Sequence, residues 1–308
     1  MKKFLCIALT LAIFLTSCGK KDNGVPPVQV NKRVENEEYL NIETSNKFLY
    51  YMVKDIVKDR NNVDYMLKDE EDQWLFKYTK NSVNNIAMKD IFMYFGADFE
   101  PWCTSFVDEL KKDNVSTVNT SRGIKINALK NSKTYEQTEL TKNPYYWTDP
   151  SDYKVILSNI KNAVEEKDSK KRNVYEDNYT SAVKEVDTVI AKAKKSMDKF
   201  KGKTFVTFGD NLDYFFSSIN ITPLKIYDSS DIEDLKQKLN KNDVEYKDVL
   251  FLYSDPSDLE KVKSFIKENS IKAAQIQIYS SNERYVDFLQ NNYNSLFSLI
   301  TSENDNKK

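Results

Sequence analysis

The first hydrophobic feature of the chain is an unbroken apolar run, Phe4 to Leu15, set behind Lys2 and Lys3 and closed by Leu15-Thr16-Ser17-Cys18. From Gly19 to about Glu38 the residues are polar, include Pro26-Pro27, and show no spacing that would bury one face, the pattern of a flexible tether. After Tyr39 two spacings alternate. Leu40-Asn41-Ile42-Glu43-Thr44 has the two-residue alternation of a strand, and Phe48, Leu49, Met52, Val53, Ile56 and Val57 then recur at helical intervals. Short apolar runs at Val63 to Leu67, Ile91 to Phe95 and Val115 to Val118 predict buried strands. Helices fall between them over Ser82 to Lys89 and Glu100 to Lys112, the second beginning with an acid and Pro101 and ending in lysines, as the helix dipole favours.

Thr148-Asp149-Pro150-Ser151-Asp152 marks a helix start, with Asp149 as N-cap and proline at the first helical position. The helix it opens carries Tyr153, Ile156, Leu157, Ile160 and Val164 on one face. Beyond the charged run Lys167 to Arg172, Tyr175, Tyr179, Ala182, Val183, Val186, Val189, Ile190, Ala193, Met197 and Phe200 step by threes and fours up to Gly202. About 29 helical residues there would reach about 40 Å. A second alternating set follows: strands Thr204 to Phe208, Leu224 to Tyr227, Val249 to Tyr253 and Ala273 to Tyr279, with helices Leu212 to Ile219, Ile232 to Leu239, Leu259 to Glu268 and Arg284 to Ile300.

Strands alternating with helices predict parallel sheets covered on both faces. The fold class is therefore α/β, with two lobes joined by a long rigid helix. The expected divisions are a signal peptide over 1–17, an anchor and tether over 18–38, a first lobe over 39–150, linking helices over 151–202, a second lobe over 203–302, and a polar tail over 303–308.

A short apolar core behind positive charge, ending in small residues, is a secretory signal and is too short for a membrane span. Leu15-Thr16-Ser17-Cys18 resembles the lipobox of bacterial lipoproteins, which implies cleavage before Cys18 and acylation of that residue. Removing Lys2 and Lys3 from 46 basic residues leaves 44 against 47 acids, a formal charge of −3 that gives no basic domain for a nucleic acid. With Cys6 in the signal and Cys18 expected to carry lipid, Cys103 has no partner for a disulfide. Cys103 itself reads as a small buried hydrophobe. Histidine is absent from the whole sequence, which excludes imidazole as base, nucleophile partner or metal ligand and removes the usual hydrolase triad. Glu70-Glu71 and Glu165-Glu166 read as solvated faces, and no glycine-rich phosphate loop is visible among six glycines.

Several ordered segments resemble the solute-binding lipoproteins of zinc and manganese ABC importers. They are Leu40 to Asp59, Asp90 to Gly96 followed by Phe99-Glu100-Pro101-Trp102, Asn143-Pro144-Tyr145-Tyr146-Trp147-Thr148-Asp149-Pro150, Val206 to Asp210 with Tyr214-Phe215, and Phe251 to Pro256. The resemblance implies a bilobed receptor, not an enzyme, working with an ABC permease. It also implies a metal held by three histidines and a late carboxylate. Those four positions fall near Trp74, on Tyr145, on Gly209 and near Tyr279, none of which supplies imidazole or carboxylate. A tight tetrahedral zinc site therefore loses its chemistry.

Oxygen ligands could come from Asp210, Asp255 and Glu283, placed at or just past strand ends and suited to Mn²⁺ or Ca²⁺; Asp210 and Asp255 equally read as helix caps. No cofactor is certain on these grounds: a divalent metal stays open, and tight zinc is not expected. Trp74, Tyr145, Tyr146 and Trp147 would instead set aromatic surface around the position, for an apolar, sugar-like or cationic solute or as filling that turns the cleft into core. Trp147 is expected to pack against the long helix. Two functions follow: a lipid-anchored extracytoplasmic receptor delivering an unidentified solute to a permease, or an adhesin-like surface lipoprotein that has lost solute binding.

Overall fold

The computed structural model describes residues 39–111, 113–135 and 138–301. Cys18, the signal segment and the tether lie outside the described residues, as does the tail. Two four-stranded parallel sheets form the two lobes. The first joins β1 (Asn41–Asn46), β2 (Asn62–Leu67), β3 (Ile91–Tyr94) and β4 (Ser116–Asn119) in the order β2-β1-β3-β4. The strands are connected by α1 (Lys47–Val57), α2 (Glu70–Leu75), α3 (Lys80–Ala87) and α4 (Cys103–Leu110). Ile42, Ile91, Phe92 and Met93 are sealed, because helices on both faces of a parallel sheet leave little strand surface to water.

Between the lobes in sequence come a hairpin, β5 (Ala128–Tyr135) and β6 (Thr138–Lys142), then α5 (Pro150–Lys167) and α6 (Arg172–Lys194). The second sheet, in the order β10-β9-β7-β8, comprises β7 (Thr204–Phe208), β8 (Leu224–Ile226), β9 (Val249–Tyr253) and β10 (Lys272–Gln275). Its helices are α7 (Asp213–Ser218), α8 (Asp231–Lys241), α9 (Pro256–Glu268) and α10 (Tyr285–Thr301).

Caps fix several of these starts. Asn46 accepts from Leu49 N at 2.9 Å to open α1, Asp149 from Ser151 N at 2.8 Å to open α5, and Asp255 from Ser257 N at 2.8 Å to open α9. The long helix α6 packs on α1 and α5 and also on α10 of the second lobe, so it ties the two halves together. It ends at Lys194, earlier than the apolar spacing predicts; a 3₁₀ turn over Met197–Phe200 carries the last apolar residues. Its buried positions are Tyr175, Ala182, Val186, Val189 and Ala193, while Val183 and Ile190 are only half-buried. Arg284, just before α10, locks this junction by pairing with Asp55 of α1 at 2.8 Å and Glu185 of α6 at 3.0 Å.

The hairpin is absent from the sequence-based expectation, because Lys130, Asn131, Ser132 and Lys133 offer no apolar alternation. Strand β10 ends at Gln275, so Ile278 and Tyr279 lie on a loop and not in the strand expected through Tyr279.

Candidate functional site: the interlobe cleft

In both sheets the chain adds a strand on one side of the first strand and then crosses to the other. This creates a crevice beyond the carboxyl ends of β1 and β3 in one lobe and of β7 and β9 in the other. Polar side chains bridge each crevice. In the first, the buried Glu100 carboxylate accepts from Ser45 Oγ at 2.5 Å, Phe95 N at 3.0 Å and Gly96 N at 2.9 Å. Burial pushes its pKa up to about 7 in spite of these donors. The loop that supplies the two backbone donors is strained, with Gly96, Ala97 and Asp98 all at positive φ. At Gly96 a Cβ would come within 2.5 Å of the Asn119 amide, so only glycine fits. In the second crevice Asn211 Nδ2 donates to Ser254 Oγ at 3.0 Å.

Three of the four positions matched to metal ligands converge on one aromatic ring. Trp74, Tyr145 and Tyr279 lie 5.0, 6.5 and 5.9 Å from Phe99 by ring centroids. The Tyr145 hydroxyl donates to Glu70 Oε1 at 2.8 Å, and that of Tyr279 reaches across to Lys68 O at 2.9 Å. Glu70 is therefore drawn into the cleft and is not the solvated surface acid it resembles; burial raises its pKa against the Tyr145 hydrogen bond and the charge of Lys133. Glu165 likewise departs from expectation: it is buried, 3.5 Å from Arg172.

Trp147, expected against the long helix, stacks on Phe95 at 4.2 Å and donates from Nε1 to Ile278 O at 2.6 Å, joining the lobes. Tyr146 is also sealed in the core. Gly209, the fourth position, directly follows β7 at φ 68° with nothing within 4 Å of where a Cβ would stand.

The acids separate. Asp210 accepts from Lys130 N at 2.7 Å, Lys225 Nζ at 2.9 Å and the Tyr227 hydroxyl at 2.7 Å. It is no helix cap, since α7 starts at Asp213 behind Leu212. Burial alone would raise the Asp210 pKa, but Tyr227, Lys225 and Lys130 N together hold it below the usual carboxylate range. Asp255 caps α9 and still lines the cleft. Glu283 lies on the loop before α10, lines neither cleft cavity and accepts from Asn291 Nδ2 at 2.7 Å. Among the described residues no group of three or more acids or cysteines could hold a metal ion. Cys103 is buried, and burial pushes its thiol pKa up.

Two cavities meet at the cleft. One of about 400 Å³ is lined by Glu70, Glu71, Trp74, Tyr145, Pro256 and Ile278. The other, about 280 Å³, is lined by Gly209, Asp210, Tyr227, Ser257, Asp258 and Lys261. Lys133, Asn211 and Asp255 line both. Lys133 comes from the hairpin, donates to Asn211 Oδ1 at 2.5 Å, and stands 5.9 Å above the Tyr145 ring. Burial lowers its pKa against the opposing pull of Asp258, Glu70, Asp210 and Asp255. The residues flanking the hairpin also clasp the second lobe: Asn127 N donates to the Tyr214 hydroxyl at 2.7 Å, and Asn143 Nδ2 to Asp210 O at 2.6 Å. Lys133 and Asn211 escape sequence reading because neither belongs to a motif or a distinctive spacing, and Phe99, although it opens the segment Phe99-Glu100-Pro101-Trp102, carries no signal that three other side chains gather on its ring.

The model of the family described as zinc-uptake complex component A, periplasmic, matches residues 42–298. The chain belongs to that family. It is 24% identical over 235 residues to a metal ABC transporter substrate-binding lipoprotein of Lactococcus lactis, covering 74% of this chain and 71% of the relative. It is 20% identical over 255 residues to the high-affinity zinc uptake system protein ZnuA of Bacillus subtilis, covering 79% and 72%. A mutant structure of the laminin-binding adhesin Lmb from Streptococcus agalactiae superposes with a TM-score of 0.68 at 20% identity, covering 85% of this chain and 99% of that one. Such distant structural likeness establishes the bilobed fold and nothing finer. Family members are solute-binding receptors of metal importers, and this chain is a solute-binding protein of that kind with an imidazole-free cleft.

Proposed function

We propose that the chain is the lipid-anchored extracytoplasmic receptor of an ABC importer whose cleft has exchanged its metal ligands for an aromatic, amide and ammonium lining. The observation that carries this is the cavity at the facing crevices, walled from one lobe by Trp74 and Tyr145 and from the other by Asn211 and Asp255. No histidine exists to rebuild a nitrogen site. A phenol must lose a proton at pKa about 10 before it ligates well. Asp210 is already committed to Lys225, Tyr227 and Lys130 N. Tight zinc is therefore not its cargo.

The anchor is Cys18, and acyl chains contribute about 0.8 kcal/mol per buried methylene. Among the described residues no helix is long and apolar enough to cross a membrane. Fatty-acid labelling should mark the wild type and not Cys18→Ala. Native mass spectrometry of the protein purified from its own membranes, with elemental analysis of the same sample, tests the cleft. An organic adduct co-purifying with the permease supports the reading. One zinc per chain, retained through dialysis against chelator, refutes it.

A further inference from the structure

The cleft already holds a cation, and it is covalently part of the chain. Lys133 reaches in from β5 and places a primary ammonium at the boundary of the two cavities, against the face of Tyr145 and on Asn211 Oδ1. Its fit is incomplete. A lysine ammonium has three donors, and the described structure gives this one a single hydrogen bond and no carboxylate pairing. Around it the cavity walls are acidic: Glu70, Glu71, Asp210, Asp255 and Asp258, of which, among the described residues, Asp210 pairs with Lys225 at 2.9 Å and Asp258 with Lys261 at 2.8 Å while the other three make no ion pair.

We infer that the cleft is a binding site for a small organic solute carrying a primary ammonium group, and that Lys133 is its built-in substitute when no solute is bound. The inference deepens the receptor reading and rests on it. The site has the parts such a solute needs: an aromatic face at Tyr145 with Trp74 beside it, an amide acceptor at Asn211, and carboxylates at Glu70 and Asp255. A tethered ammonium reaches only what its backbone allows. A free one can settle directly against a carboxylate, where the charge-assisted bond is about twice as strong as a neutral one.

Lys133 has somewhere to go, because the neighbouring cavity it also lines contains Asp258 and the open space above Gly209. The bulged hairpin that carries it is irregular between Ala128 and Lys133, so the lysine is held by a ladder that is already interrupted. Occupation by the tethered group lowers the apparent affinity for the solute by the fraction of molecules with the lysine in place.

The test uses the full chain in detergent, titrated calorimetrically with 1,5-diaminopentane, pentylamine, hexanoate and ZnCl₂, in wild type, Lys133→Met and Lys133→Gln. Methionine keeps the stem without charge, and glutamine retains a donor for Asn211. Unchanged circular dichroism shows that the variants fold. The expected result is one diamine per wild-type chain, bound about tenfold more tightly in both variants, with pentylamine weaker and hexanoate silent. Failure of the wild type to bind either amine overturns the inference, and that measurement needs no variant. Hexanoate binding that Lys133→Met abolishes would make Lys133 an anion anchor and overturn it too. Stoichiometric zinc binding without amine binding would overturn both the ligand class and the altered cleft. An organic adduct by native mass spectrometry, with no amine response, would remove the ligand class and leave the receptor reading standing.

Discussion

Replacing Glu100 by glutamine tests how the first lobe tolerates a buried charge beside the cleft. The carboxylate is only 3% exposed and gathers four donors, yet its pKa rises from 4.5 to about 7 because burial outweighs them. A raised folded pKa means that between these values the native protein binds more proton than the unfolded chain, so stability falls as pH rises from about 4.5 to about 7. Integrated from pH 4.5 to 8, Glu100 alone costs about 3 kcal/mol. For a folded unit of roughly 270 residues this corresponds to about 5 °C in Tm.

Glutamine cannot ionise, so Glu100→Gln should remove that part of the pH dependence. It should also be less stable than wild type at pH 4.5, since its amide must set an N–H against either Gly96 N or the Ser45–Phe95 side. The assay is denaturant unfolding of both proteins at five pH values across this range. The difference between them should narrow by about 3 kcal/mol toward pH 8. Parallel curves would refute the reasoning, showing that the donors hold the carboxylate ionised without cost.

Lys225→Met leaves Asp210 buried without its ion pair and should cost about 2 kcal/mol at pH 7 by chemical denaturation. Because the Asp210 pKa is depressed, that stabilisation is present above its unfolded value of 3.8 and disappears as pH falls further, so the variant and wild type should converge in acid. Trp147→Phe removes the Nε1 bond to Ile278 O and part of the stacked ring, and should lower stability by about 2–3 kcal/mol in the same measurement; an unchanged midpoint would mean the lobes do not depend on this link. Installing histidine at Trp74, Tyr145 and Gly209 together should create zinc affinity absent from wild type, visible as about 2.7 kcal/mol of stabilisation at zinc 100-fold above the dissociation constant. Gly209 has the room, at the expense of a positive φ. No zinc response in a folded triple variant would show that these positions do not surround a common point.

The alternating spacings were sufficient for the α/β class, both parallel sheets and the two proline-led helix starts at Asp149 and Asp255, because each depends on which residues can be buried and on caps local in sequence. Composition was equally decisive for what the cleft cannot contain, since no fold restores a missing imidazole. The contents of the cleft were another matter. Lys133 is one lysine among many in a polar segment, and only the pairing of β5 with β6 carries it between the lobes. Glu70 and Glu71 look alike in sequence, but helix α2 turns one toward the Tyr145 hydroxyl and leaves the other exposed. Asp210, Asp255 and Glu283 are three acids after strand ends, and the tertiary structure assigns them to an ion-pair network, a cleft-lining helix cap and a hydrogen bond to Asn291 from the loop before α10. Burial and capping are local and periodic, so the sequence determines them; which side chains meet across a cleft depends on contacts as distant as Lys133 with Asn211, and only the folded chain decides those.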